Sequence, residues 1–185
     1  MNINFKALNK HDANYTEVIK LYKEAFPGAK RIPTFLLRYK LRNGKEGFNV
    51  LYENDVWIGL IYSAEYKDIV FVQFLAISES LRSQGYGSKV MASLKDRYIG
   101  KRIILNIEEL DKKAKNYEQR VKRKAFYEKN GFISTEYMVK EPDQKYEMLI
   151  REGSISKEEI ESLYDDLFGS IISFFIRPKV LKIKY

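Results

Sequence analysis

Apolar residues in the first half of the chain fall into short runs that are separated by polar turns. The runs at 48–52, 56–64 and 69–77 are rich in the aromatic and branched residues that favour strands. Polar residues at the intervening positions are typical of hairpin turns. The pattern predicts three consecutive antiparallel strands.

Helical spacing of apolar residues predicts helices on both sides of these strands. Before them, Asp12 is expected to cap a helix that Pro27 stops, and Pro33 is expected to begin a second helix. After them, the same spacing predicts helices over 87–98 and 111–129. The remaining predicted strands are 1–5, 102–107, 132–139 and 145–150.

This order of elements predicts a mixed α/β fold, with a central, mostly antiparallel sheet of about six to seven strands flanked by helices. No stretch rich in Pro, Gly or Ser divides the chain, so residues 1–150 are expected to form one domain. Residues 151–185 are predicted to form a C-terminal helical extension. Its start is expected at a capping box formed by Ser156 and Glu159.

The end of the extension, residues 170–185, is first apolar and then basic. The amphipathic spacing before it favours packing on the domain or on a partner subunit. The alternative is a membrane-surface anchor, in which Phe174, Phe175 and Ile176 insert among lipids and the lysines lie near anionic headgroups. We expect the first arrangement, and therefore no stable membrane association.

Composition narrows the classes of function. The 185 residues include 33 Lys and Arg against 25 Asp and Glu, and a formal net charge of +8 favours anionic partners. The chain has no Cys, and its single histidine, His11, argues against a histidine-based triad or a histidine-rich metal site. No metal is expected. The first 25 residues lack an apolar leader segment, and the predicted location is cytoplasmic.

Residues 82–88, with the sequence Arg-Ser-Gln-Gly-Tyr-Gly-Ser, carry a chemical signal. They follow the apolar strand 69–77 and open a predicted helix. Gly85 and Gly87 let successive backbone N–H groups point inward without a Cβ in the way, and the helix dipole adds positive potential. The segment is predicted to bind an anion such as phosphate, with an ordinary tight turn as the alternative.

Two motifs extend this prediction. One is Arg82-x-x-Gly85-x-Gly87, and the other is the stretch 126–132, Phe-Tyr-Glu-Lys-Asn-Gly-Phe, at the end of a predicted helix. Together with the order of elements, they resemble the pyrophosphate loop and the Phe-Tyr-x-x-x-Gly-Phe stretch of the GNAT superfamily of acetyl-CoA-dependent N-acetyltransferases. Either motif alone is weak evidence, whereas the pair is specific.

The resemblance implies that acetyl-CoA is the acyl donor and that its pyrophosphate lies over the turn from Gln84 to Ser88. It also implies that the pantetheine arm pairs, like an added strand, with backbone groups of Leu75 and Ile77 at the end of the central strand. The turn residues that it assigns to the cofactor are Arg82, Gln84, Gly85, Tyr86, Gly87 and Ser88.

Acetyl transfer needs a neutral amine and a proton for the departing thiolate. The resemblance implies that Tyr127 supplies this proton, and a core tyrosine on an apolar helical stripe is the alternative. Strand alternation places Glu108 at the end of the strand 102–107. It is a candidate for accepting the amine proton or for binding a cationic substrate, and a solvated carboxylate is the alternative.

The sequence departs from the usual family pattern before Tyr127. The family has an Asn seven residues earlier and an Ala four residues earlier, where this chain has Arg120 and Arg123. Loss of the Asn removes one expected contact to pantetheine. Both arginines, with Lys122 and Lys124, are interpreted as a solvated face of the helix, with neutralisation of cofactor phosphates as the alternative.

The sequence therefore predicts an N-acetyltransferase that moves acetyl from acetyl-CoA to a primary amine by direct attack in a ternary complex. The acceptor is a small-molecule or peptide amine, and its pocket is expected to be lined by segments 31–48 and 137–146. No nucleic-acid partner is expected, and a homodimer is compatible with the tail. The alternatives are a catalytically silent acyl-CoA-binding regulatory module and, less favoured, a nucleic-acid-binding protein.

Overall fold

The computed structural model describes residues 3–9, 11–26, 46–141, 144–176 and 179–183, and the helices and strands named below lie in these ranges. The strands are β1 (Asn4–Ala7), β2 (Glu46–Glu53), β3 (Val56–Tyr66), β4 (Ile69–Ile77), β5 (Arg102–Glu108), β6 (Ile133–Lys140), β7 (Lys145–Arg151) and β8 (Lys179–Lys182). The helices are α1 (Tyr15–Ala25), α2 (Tyr86–Arg97), α3 (Tyr117–Lys129) and α4 (Lys157–Ile176). The predicted mixed α/β class is confirmed.

The contacts divide the chain into two compact units. The first comprises Met1–Glu65 and Val72–Ile99, and the second comprises Tyr66–Phe71 and Gly100–Tyr185. Strand order in the first unit is β1-β2-β3-β4, and in the second it is β5-β7-β6-β8. The predicted domain boundary at residue 150 stays a prediction.

The core of the first unit is built by α1 and the neighbouring strands. The Tyr22 ring lies 5.3 Å from that of Phe74, edge to face, and 5.7 Å from that of Phe48. Such tilted aromatic pairs add specific geometry to the burial of apolar area. The buried members of this core are Val18, Leu21, Tyr22, Phe48, Val50, Leu60, Tyr62, Phe74 and Ala76.

Helix α1 begins later than the sequence indicates. Its N-cap is Asn14, and no side chain caps it there. The carboxylate of Asp12, the predicted cap, instead accepts the Asn9 backbone N–H at 3.0 Å and the Lys6 ammonium at 2.9 Å. Asp12 thus stabilises the turn before the helix, a local use of an acidic side chain that competes with capping.

The second unit is held by antiparallel pairing of its strands. Leu105 of β5 faces Leu149 of β7, and Val139 of β6 faces Val180 of β8. All four side chains are buried. Strand β8 was not predicted, and it brings the number of strands in the described part of the chain to eight, one more than the upper end of the predicted range.

The capping box predicted at the start of α4 is confirmed. The Ser156 backbone N–H donates to the Glu159 carboxylate at 2.8 Å, and the Glu159 N–H donates to the Ser156 hydroxyl at 3.2 Å. Arg102 of β5 donates to Glu159 at 2.7 Å and to Asp68 at 2.7 and 2.8 Å. One guanidinium therefore ties the start of α4 to the turn at Asp68.

Two predicted helices differ from the structure. Helix α3 begins at Tyr117 and not at Asp111, because the Asp111 carboxylate accepts the Lys113 N–H at 2.9 Å and forms a local turn. The helix predicted from Pro33 lies outside the described residues. Among the helices that the structure describes, none combines the length and the apolar character needed to cross a membrane.

Candidate active site

The predicted anion site lies in the first unit, between β4 and α2. A short 3-10 turn, Glu79–Leu81, follows the end of β4 and leads into the glycine segment. Ser83 has φ +61° and Gly85 has φ +84°, so the chain reverses through two left-handed positions. Gly85 is the N-cap of α2, a position that a glycine occupies without the strain of a Cβ.

The first turn of α2 supplies backbone donors. The Lys89 N–H closes the first helical bond, to the Gly85 carbonyl at 3.2 Å. The N–H groups of Tyr86, Gly87 and Ser88 precede it and therefore have no acceptor inside the helix. Among the described residues, and apart from its chain neighbours and the backbone of α2, no atom lies within 4 Å of the place a Cβ on Gly85 would take. This open turn of donors at a positive helix end suits an anion.

Arg82 and Gln84 bind the backbone of the turn itself. The Arg82 Nε donates to the Ile77 carbonyl at 3.2 Å, and the Gln84 Nε2 donates to the Ser80 carbonyl at 2.8 Å. Both side chains are exposed. The resemblance assigns both residues to the cofactor. In this structure, Arg82 and Gln84 stabilise the backbone between β4 and α2.

A buried ion pair supports the start of α2 from β2. The Lys89 ammonium lies 2.8 and 3.0 Å from the two Glu53 oxygens and 4.8 Å from the centre of the Tyr86 ring. Glu53 is 8% exposed, so its charge needs this partner. No sequence pattern predicts the pair, since Glu53 follows an apolar run as any turn residue would.

Successive side chains at the end of β4 lie on opposite faces of the sheet, and the two faces differ in burial. Phe74 and Ala76 are buried on the face that packs with α1, whereas Leu75 and Ile77 are half-buried on the other face. Both predicted cofactor-strand residues therefore lie on the face that the core of the first unit leaves incompletely covered.

Tyr127 lies near the end of α3 in the second unit. Its ring packs edge to face with Phe126 at 5.1 Å and with Phe132 at 5.6 Å, so three residues of the second motif contact one another. Burial raises the pKa of the Tyr127 hydroxyl, an effect that the positive charge of Arg123 opposes. Gly131 takes φ +84° just after the helix, which explains the glycine in the motif.

Glu108, at the end of β5, is the centre of a polar cluster. Its carboxylate lies 2.5 Å from Arg123 Nη1 and 3.7 Å from Arg120 Nη2. The amide groups of Asn116 and Gln144 donate to it at 3.4 and 3.2 Å. Glu108 is 7% exposed, so the alternative of a solvated carboxylate is wrong, and the side chain is a buried and paired anion.

The interpretation of the basic run as a solvated face is wrong for two of its four residues, Arg120 and Lys124, which are half-buried, whereas Arg123 is exposed although it is paired. Arg120 and Arg123 contact Glu108, and the Lys124 ammonium lies 2.8 Å from a carboxylate oxygen of Glu147 on β7. Glu147 is also buried. Lys122 is exposed, as interpreted. None of the residues of α3, all of which the structure describes, is fully buried, so ion pairs take a large part in attaching this helix.

The predicted acceptor segments are described only in part. Residues 31–45 lie outside the described residues. In the segment 137–146, Tyr137 is half-buried, and burial with the negative charges of Glu141 and Glu108 raises the pKa of Tyr146 to about 12. Arg120 opposes that shift. Tyr146 therefore keeps its hydroxyl proton at neutral pH.

Solved structures share this fold. A GNAT-family protein from Bacteroides thetaiotaomicron superposes with a TM-score of 0.74 at 21% identity, covering 91% of this chain and 98% of that one. A spermidine N-acetyltransferase from Vibrio cholerae, solved with CoA and spermine, gives 0.61 at 14% identity, covering 85% and 97%. The fold of this chain is therefore that of the GNAT acetyltransferases.

Comparisons of sequence agree with the fold. Residues 44–134 match the model of the acetyltransferase (GNAT) domain. The protein YjbC of Bacillus subtilis (strain 168), named as a candidate acetyltransferase, is 30% identical over 88 residues, which are 48% of this chain and 43% of that protein. The chain thus aligns with less than half the length of this relative. Residues 44–134, just under half of the chain, are therefore similar to the GNAT acetyltransferase domain, and the resemblance stated from the two motifs is confirmed.

Proposed function

We propose that the chain is an N-acetyltransferase that transfers acetyl from acetyl-CoA to a primary amine by direct attack in a ternary complex. The observation that carries this proposal is the open turn of N–H donors at Gly85 and the start of α2, which lies inside the stretch 44–134 that matches the GNAT domain. The amine nitrogen forms a bond to the acetyl carbon, the carbon–sulfur bond breaks, and the thiolate takes up a proton.

The cofactor assignment follows the geometry of the first unit. The pyrophosphate is proposed to lie over Gln84–Ser88, where a helix N-terminus provides backbone donors and positive potential. The pantetheine arm, which is rich in amides, is proposed to bind backbone groups of Leu75 and Ile77. Three similar folds, among them an acetyltransferase from Bacillus subtilis and an aminoglycoside 6'-N-acetyltransferase, were solved with CoA, which supports this donor.

Tyr127 is proposed as the general acid. Its pKa is raised by burial, so the hydroxyl keeps its proton at neutral pH and has one to give to a thiolate. Packing between Phe126 and Phe132 fixes the direction of the ring. An acid held in one orientation loses little entropy at the moment of transfer.

Glu108 is proposed to act on the amine mainly by charge. Its contacts to Arg120 and Arg123 stabilise the anion and compete with proton uptake, so direct abstraction of the amine proton is the weaker of its two predicted roles. A cationic acceptor would bind the Glu108 carboxylate in competition with these two arginines. A small-molecule or peptide amine fits this chemistry, and relatives named for spermidine support the small-molecule class.

Calorimetry with acetyl-CoA, followed by a thiol-release screen, tests the proposal. The screen covers polyamines, aminoglycosides, amino acids and peptide N-termini, and at least one is expected to release CoA. Absence of acetyl-CoA binding would contradict the proposal, whereas binding with no release for any amine would support the silent regulatory module. A cytoplasmic protein and a homodimer belong to the same proposal, and size-exclusion chromatography tests the dimer.

A further inference from the structure

Gly59, in the middle of β3, allows an unusually close approach of β4. The carbonyl oxygen of Ala76 lies 2.2 Å from the place a Cβ on Gly59 would take, and the Ile77 Cα lies 3.1 Å from it. Both contacts are with backbone, which cannot turn aside as a flexible side chain does. Any other residue at position 59 would displace the end of β4.

The strand is irregular at the same point. Leu51 of β2 faces Gly59, whereas its neighbour Tyr52 faces Trp57, so β3 carries Ile58 as an extra residue. An extra residue in one strand is a β-bulge, which bends the strand and re-aims its backbone groups. A glycine inside a strand pattern is the sequence signal for such a feature.

One hydrogen bond supports the bulge within β3, and another joins the bulge to the residue that follows β4. The Trp57 indole Nε1 donates to the Gly59 carbonyl at 3.0 Å. The Ile58 carbonyl accepts the backbone N–H of Ser78, the residue after β4, at 2.9 Å. Residues 57–59 thereby fix the backbone of the next strand from Ala76 to Ser78.

This arrangement determines the direction of a backbone donor. The Ala76 carbonyl points at Gly59, and the described chain contains no cis peptide bond. In a trans peptide the N–H points opposite to the carbonyl, so the Ile77 N–H is directed away from β3. The Ile77 carbonyl, in turn, accepts the Arg82 side chain at 3.2 Å. Both polar groups of Ile77 are therefore oriented by contacts outside a regular strand pair.

We infer that Gly59 and Trp57 are positioning residues for the acyl donor, because they set the backbone of Ala76–Ser78 that receives the pantetheine arm. This inference rests on the proposed function. The two residues act through β4, and neither needs to contact the cofactor. The N–H donors at Gln84–Ser88 lie at the start of α2, which the pair of Lys89 and Glu53 supports, so we expect pantetheine binding to depend on the bulge much more than pyrophosphate binding does.

Comparing the affinities of two ligands distinguishes pantetheine binding from pyrophosphate binding. CoA carries the pantetheine arm, and ADP carries adenosine and a pyrophosphate without the arm. Trp57→Phe keeps an aromatic ring and removes the indole donor, and loss of one hydrogen bond is expected to weaken CoA binding about fivefold while ADP binding stays unchanged. Gly59→Ala is expected to weaken CoA binding at least about tenfold, because its Cβ must displace β4.

Tyr52→Phe is the matched control. It removes a hydroxyl that accepts a hydrogen bond from Asn14 at 3.4 Å, in the same unit and on the strand beside β3. Its CoA affinity is expected to equal that of wild type. Calorimetry at one salt concentration gives the affinities, and circular dichroism confirms folding. If Gly59→Ala fails to fold, the CoA and ADP affinities of Trp57→Phe alone test the positioning role.

The outcomes are distinct. A CoA-specific loss in Trp57→Phe, with Tyr52→Phe unchanged, supports the positioning role. Unchanged CoA affinity in Trp57→Phe, or an equal loss for CoA and ADP, overturns it while the proposed function stands. A wild-type protein that binds no CoA overturns both.

Discussion

The carboxylate of Glu108 is bound by Arg123, whose Nη1 lies 2.5 Å from Glu108 Oε2. Arg123 occupies the place of the family's Ala, and Arg120, which replaces the family's Asn, lies 3.7 Å from the same carboxylate. The two departures from the family pattern therefore converge on one acidic side chain. The family's Asn is expected to contact the cofactor, whereas Arg120 at the same position contacts Glu108 within the protein.

Replacement of Glu108 by Gln is expected to destabilise the protein. The change leaves Arg120 with its carboxylate partner removed in a largely buried place, and we expect a loss of about 1–3 kcal/mol in the free energy of unfolding. Urea denaturation measures it. Glu109→Gln is the control, because Glu109 is well exposed and lies 3.7 Å from Lys145 in a weak surface pair. Equal effects of the two changes would contradict a structural role for the cluster.

Replacement of Tyr127 by Phe is expected to lower kcat by at least about 100-fold with little change in the KM for acetyl-CoA, because a positioned acid contributes this much. The ring contacts with Phe126 and Phe132 remain available to Phe. Since the pKa of Tyr127 is raised from its usual value near 10, wild-type kcat should show no loss from this group between pH 7 and 9. Tyr117→Phe, on the same helix, is the control. Unchanged turnover in Tyr127→Phe would assign the tyrosine to packing.

Replacement of Gly85 by Ala is expected to weaken CoA binding about tenfold or more, since a Cβ would enter the turn of N–H donors. Gly100→Ala is a close control. Both glycines have positive φ, +84° and +79°, and among the described residues neither has an atom within 4 Å of the added Cβ apart from chain neighbours and adjoining helix backbone. Both changes should therefore cost about 1 kcal/mol of stability from backbone strain. Only Gly85→Ala should affect CoA affinity in calorimetry, and similar affinities for both variants would argue against the anion site.

Arg102 makes the stability of the second unit depend on pH. Hydrogen bonds from Arg102 lower the pKa values of Asp68 and Glu159. A carboxyl whose pKa is lower in the folded state stabilises the fold above its unfolded pKa, near 4, and this contribution is lost as the pH falls through the folded value. We expect wild type to lose stability below about pH 4 to 5. The stability of Arg102→Gln is expected to depend less on pH over the same range.

Thermal denaturation between pH 2 and 7 measures this dependence. Lys157→Gln is the control, since it removes a cation near the same helix start that pairs with exposed Glu161 at 3.6 Å. The carboxylates of Asp68 and Glu159 are more than a third exposed, so the effect should be modest. If the denaturation temperatures of wild type and Arg102→Gln changed with pH in parallel, this role of Arg102 would be contradicted.

Features that depend on neighbouring residues in the chain were predictable from the sequence. The three consecutive strands β2 to β4, the glycine turn and the capping box at Ser156 and Glu159 each have a local signal of spacing or residue type. The start of α3 was not predictable in this way. Helical spacing continues back to Asp111, but the turn made by its carboxylate cannot be distinguished from a helix cap without the backbone.

Features that depend on distant residues were missed. Strand β8 buries one side chain, Val180, between exposed lysines, which is too short a pattern to indicate a strand. The pairs of Glu108 with Arg123 and of Glu53 with Lys89 join residues that are 15 and 36 positions apart. Charge patterns along one helix predict solvation by default, and only the fold shows which cations meet a buried carboxylate.

The ion pairs of α3 make ionic strength a variable for the helix that carries Tyr127. No residue of α3 is fully buried, while Arg123 and Lys124 reach carboxylates on β5 and β7. Apolar packing is little affected by simple salt, whereas partly exposed ion pairs are screened. Added salt should therefore loosen this helix before the apolar cores respond, and hydrogen exchange of the α3 amides would rise ahead of those in the strands.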